Sequence, residues 1–170
     1  MSLASFARWL AGREWAQDFA GSSDFYPIVL ATHLVCIAVF GGMILMTNLR
    51  LLGWTLKDQS ISDVVARLRI WKRIGFTVMV SCGLLLAGSE ADKYYANPFF
   101  WIKMTLLVLI GVHGLVFRRS VYRNAVELDQ APIPARQAKL AASLSLILWI
   151  GVVCFGRLIG YYDTPLLQLQ

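Results

Sequence analysis

The segment ATHLVCIAVFGGMILMTNLRLLGW, residues 31–54, is apolar enough to cross a bilayer, yet it carries His33 near its start and Asn48 and Arg50 near its end. An α-helix rises about 1.5 Å per residue, so a hydrocarbon layer about 30 Å thick takes about 20 mainly apolar residues. Extended outward by this criterion, the first span covers residues 25–49, and spans of similar character follow at residues 71–89, 98–117 and 140–161. The whole chain agrees: of its 170 residues 58% are hydrophobic and 15% charged, with mean hydropathy +0.61. Soluble domains carry roughly 25% charged residues. These numbers predict an all-α integral membrane protein, a four-helix up-and-down bundle forming one domain over residues 1–170 and surrounded by the lipid bilayer.

The connections carry the punctuation. Residues 1–23 mix Leu3, Phe6, Trp9, Leu10, Trp15 and Phe19 with charges, the pattern of an amphipathic helix lying in the membrane interface; they lack the continuous apolar stretch of a cleavable signal sequence. Ser60 with Asp63 resembles a capping box and predicts a short interfacial helix before the second span. Asn97 before Pro98 is a good helix start. The third connection is expected to continue as a helix to about Leu128 and to break at Pro132 and Pro134.

The formal charge of +6 is concentrated in two connections. Arg50, Lys57, Arg67, Arg69, Lys72 and Arg73 flank the first, and Arg118, Arg119, Arg123, Arg136 and Lys139 the third, while the second holds only Lys93. The positive-inside rule explains this charge better than a nucleic-acid partner does, and predicts both termini in the periplasm of a bacterium, with the chain in its inner membrane. Cys36, Cys82 and Cys154 all fall inside apolar segments, where no disulfide framework is expected. No Ser/His/Asp set, HExxH motif, phosphate-binding glycine loop or intramembrane carboxylate pair is present, so no catalytic residue is assigned and an enzyme acting on its own is not expected.

Several short motifs resemble those of a family of small uncharacterised bacterial four-helix inner-membrane proteins: FYP followed by His33, Gly41 and Gly42, LRLLG at 49–53, NPFF with Lys103 behind it, and GRLIGY at 156–161. The resemblance implies a four-span fold and no particular chemistry. In style the chain is also loosely similar to membrane b-type cytochromes and copper-resistance membrane proteins. Cytochrome b bundles pair histidines at matching depth, and His113 departs from that pattern.

Helical rise places His33 about 10 Å and His113 about 22 Å below the outer interface, so the two are separated by roughly 12 Å along the membrane normal. Lys103, Met104, Cys82, Cys154 and, nearer the surface, Arg157 fall in the outer half with His33. Three readings use these residues. In the first, an electron-transfer protein binds haem b, with His33 and Met104 as axial ligands and Lys103 and Arg157 neutralising the propionates; His113 and Met43 would form a second, deeper site. In the second, His33, Cys36, Cys82, Cys154 and Met104 bind or transport Cu(I). In the third there is no cofactor: the histidines bond between helices and the chain is an accessory subunit, packing through Gly156 and Gly160 against a larger complex or another copy.

Overall fold

The computed structural model describes residues 2–56, 58–117 and 136–162. Among these residues every regular element is helical: α1 (Leu3–Ala11), α2 (Glu14–Ala20), α3 (Phe25–Leu52), α4 (Ile61–Ser89), α5 (Ala91–Ala96), α6 (Pro98–Phe117) and α7 (Arg136–Ile159). Helices α3, α4, α6 and α7 are each long and apolar enough to cross a membrane. Large apolar side chains such as Leu34, Val39, Ile74, Leu84, Val108, Leu115 and Ile147 are exposed around them. In water such a surface would drive aggregation, whereas in a bilayer it is the lipid contact. The chain is a multi-pass membrane protein.

Local chemistry sets the ends. Gly53 adopts the left-handed conformation (φ 77°), which lets its amide and that of Trp54 bond back to Arg50 and Leu49 and close α3 beyond residue 49. The Ser60 hydroxyl accepts from the Asp63 amide at 3.0 Å, and from this cap α4 runs without interruption to Ser89. The expected interfacial helix and second span are therefore one helix. The N-terminal segment is two helices, broken at Gly12, and Leu10 and Trp15 rest on Gly88 of α4. The predicted helix to Leu128 and the breaks at Pro132 and Pro134 lie outside the described residues.

Helix α3 packs on α4 and on α7, and α7 packs on α6; α4 and α6 make at most marginal backbone approach. Among the described residues the spans thus form two hairpins joined along α3 and α7, with the side between α4 and α6 open. At one end Tyr26 donates to Glu90 Oε2 at 2.7 Å and Asn97 donates to the Ile159 carbonyl at 3.2 Å. At the other, Leu51, Ile61, Ala138, Ala141 and Ala142 form a buried cluster flanked by Leu52, Val65 and Phe117. Midway, the Trp149 indole lies on the backbone of Gly41 and meets Phe40 edge to face at 5.4 Å.

Candidate functional site

The α3–α4 seam is a single antiparallel register. Going down α3 and up α4, Tyr26 meets Glu90, His33 meets Gly83, Met43 meets Gly75 and Thr47 meets Lys72. The intervals between these α3 positions are sums of three- and four-residue steps, which keeps them on one helix face. Cys36 belongs to the same face, and the register sets it opposite the buried Cys82. Both thiols are free.

His33 is half-buried in this seam. Its Nδ1 lies 2.9 Å from the Met79 carbonyl oxygen. A carbonyl only accepts, so Nδ1 carries the proton and Nε2 keeps a bare lone pair. The ring has room because residue 83 is glycine: a Cβ there would stand 3.0 Å from His33 Cε1. Lys103 reaches the same half of the bundle from α6. Its chain crosses Gly156 of α7, whose Cβ, if present, would stand 3.6 Å from both Cε and Nζ of the lysine. Among the described residues Lys103 has no hydrogen-bond or ion-pair partner, and the four long helices hold no carboxylate except Asp63, in the first turn of α4. A half-buried, uncompensated ammonium in a membrane interior is costly unless an anion or water reaches it.

The remaining expected site residues separate from this pair. Arg157 is exposed and folds along its own helix, Nη2 donating to the Tyr161 hydroxyl at 2.7 Å with the guanidinium 4.8 Å from the Tyr161 ring centroid. It does not join Lys103, because residues 156 and 157 point about 100° apart on a helix and Gly156 takes the inward direction. That same inward placement occupies Gly156 within the protomer, so it is not the partner-facing glycine expected of a GxxxG. Met104 is half-buried and turned from Lys103 by the same angle. His113 is buried on the other seam, Nε2 donating to the Ala141 carbonyl at 2.9 Å and the ring against Phe117 at 4.9 Å. Met43 is buried over Gly75 on the α3–α4 seam, so it does not share a seam with His113. Cys154 is exposed, and no group of three or more His, Cys, Asp or Glu side chains converges among the described residues. The copper set of His33 and three cysteines is therefore not assembled.

Residues 20–162 match the model of the family of unknown function DUF6644. The chain belongs to that family. The DUF6644 match takes in all four long helices and leaves α1 and most of α2 in front of it. No curated protein and no solved structure matches the chain.

Three contacts of this DUF6644 chain were not anticipated from sequence: Gly41 with Trp149, Gly83 with His33, and Thr47 with Lys72; Asn48, a polar residue in an apolar run and so a natural interhelical hydrogen-bonding group, donates to Ser145 Oγ at 3.0 Å. A signal existed for two of the three, since positions 26, 33, 40 and 47, which include His33 and Thr47, repeat every seven residues as an interhelical seam does. At the Tyr26 end, Tyr26, Glu90 and Tyr94 form a hydrogen-bonded group, with Lys93 Nζ 3.7 Å from Glu90. Burial raises the Tyr94 phenol above its ordinary value, opposed by its hydrogen bond with Tyr26.

Proposed function

We propose that this chain is an electron-transfer component of a bacterial inner membrane that holds haem b in the half of the bundle nearer the Tyr26–Glu90 end. His33 Nε2 is its axial ligand and Lys103 the counter-charge for a propionate. One observation carries the reading: the His33 Nδ1–H donates to a backbone carbonyl, 2.9 Å away, and leaves Nε2 free. Metal-ligating histidines are held in one tautomer by such a second-shell bond, which also raises their basicity. The uncompensated Lys103 supports it, because a carboxylate-bearing cofactor would supply the anion that the helices lack. The open side between α4 and α6 is a route by which a flat ligand could reach His33.

Bound haem supplies a one-electron couple whose potential follows its axial ligands and surroundings. In this proposal His33 fixes orientation, Gly83 leaves the ring its place, and Lys103 favours the charged propionate. Met104, turned from Lys103 on α6, is not assigned a contact with the group. Arg157, committed to Tyr161, has no part. The basic residues beyond the Leu51 end favour that end as cytoplasmic, which puts both termini in the periplasm.

A second reading rests on the likeness of the two histidines. Each donates to a main-chain carbonyl of the neighbouring helix, as a purely structural histidine would. On that reading the chain is a cofactor-free accessory subunit, with the exposed Ala38 and Gly42 as its close-packing face toward another membrane helix. A reduced-minus-oxidised visible spectrum of protein purified after haem-replete expression separates the two. Soret and α bands of a b-type haem are the expected result; a featureless spectrum would overturn the haem reading and leave the second.

A further inference from the structure

Near the Leu51 end a second cation is embedded without a counter-charge among the described residues. Lys72 of α4 is half-buried, and its Nζ donates to Thr47 Oγ1 at 2.6 Å; the threonine hydroxyl in turn donates to the Met43 carbonyl at 2.9 Å. An ammonium has three donors, and the structure gives this one a single partner. Among the described residues no carboxylate pairs with it. Thr47 stands twenty-one residues beyond Tyr26, or about 31 Å by helical rise. That depth is where hydrocarbon gives way to headgroups on the far side of the bilayer. Two neighbours on α4 are also basic: Arg69, one turn before Lys72 on the same side, and Arg73, both exposed. Arg50 is held elsewhere, donating from Nε to the Gln59 carbonyl at 2.7 Å.

We propose that Lys72, with Arg69 beside it, binds the phosphate of an anionic phospholipid in the leaflet at the Leu51 end, its headgroup seated at the mouth of the α3–α4 seam. The chemistry is that of any phosphate: an ammonium with two further donors and a guanidinium at headgroup depth, with no acid paired to the ammonium among the described residues. A lipid is favoured over a soluble anion because three exposed apolar residues, Ile70, Trp71 and Ile74, also flank Lys72, and acyl chains would cover them. The proposal does not depend on haem.

Native mass spectrometry of the full chain released from detergent, with phosphatidylglycerol or phosphatidylcholine added, tests it. The wild type should retain phosphatidylglycerol in preference to phosphatidylcholine. Lys72→Gln, whose amide can still bond Thr47, should retain roughly tenfold less, as expected on losing a charge-assisted contact. Lys72→Arg should keep the adduct. Arg69→Gln, at an exposed position that does not bear on folding, should weaken it by a smaller factor. Equal retention by wild type and both glutamine variants, or equal retention of the two lipids, would overturn the proposal. Displacement of the lipid by inorganic phosphate at the same concentration would show a soluble-anion site and overturn the lipid assignment.

Discussion

Gly41→Val is expected to lower the stability of the protein in detergent more than any other single change in the spans, by about 3 kcal/mol. A Cβ at this position would stand 2.5 Å from Trp149 Nε1 and 3.1 Å from its Cε2. Real Cβ atoms do not approach that closely, so either the indole leaves its place against Phe40 or α3 and α7 separate. Both outcomes damage the contact that joins the two hairpins, since α4 and α6 offer no alternative bridge. The neighbouring glycine is the control: nothing lies within 4 Å of a Cβ on Gly42, so Gly42→Val should cost little in the isolated protein. Thermal unfolding followed by tryptophan fluorescence checks both. Adding Trp149→Leu to Gly41→Val should recover part of the loss, because the clash partner is gone; strict additivity of the two changes would refute the packing account.

Gly83→Val is expected to have the second largest effect, and it acts on the site itself. The added methyl groups would occupy the space of the His33 ring, 3.0 Å away at Cε1, and force the imidazole off the Met79 carbonyl. The cost combines overpacking of about 1–3 kcal/mol with loss of an interhelical hydrogen bond worth roughly 0.6 kcal/mol in a membrane. If haem is bound through His33, Gly83→Val should also lose it without touching a ligand. The double variant His33→Ala/Gly83→Val should unfold at a higher temperature than Gly83→Val alone, since a small side chain at 33 makes room for the valine. A double variant no more stable than the single one would show that His33 does not pack where described.

Much of the architecture was legible because hydropathy and helical rise are one-dimensional properties. Four apolar stretches of sufficient length, and the levels of His33 and Lys103, follow from counting residues. Azimuth does not. Arg157 and Lys103 fall in the same half of the bundle, but one helical step of about 100° sends Arg157 outward onto Tyr161 while Gly156 receives the lysine. The same blindness hid the glycines. Gly41, Gly42, Gly83 and Gly156 look alike in sequence, and only the neighbour distinguishes an indole, open space, an imidazole and a lysine chain. The break at Gly12 was missed because the amphipathic pattern continues across it. The hydrogen-bond acceptors of both histidines are main-chain carbonyls, which no residue pattern reveals.

The central claim is that the half-buried His33, and not the buried His113, gives its unprotonated ring nitrogen to haem. Haem stoichiometry measured side by side for the wild type, His33→Ala and His113→Ala, each purified from haem-replete cells, addresses it most directly. The account predicts loss of haem from His33→Ala and its retention by His113→Ala, whose cost should be one of stability through the Ala141 bond and Phe117 contact. Wild-type haem content in His33→Ala would contradict it.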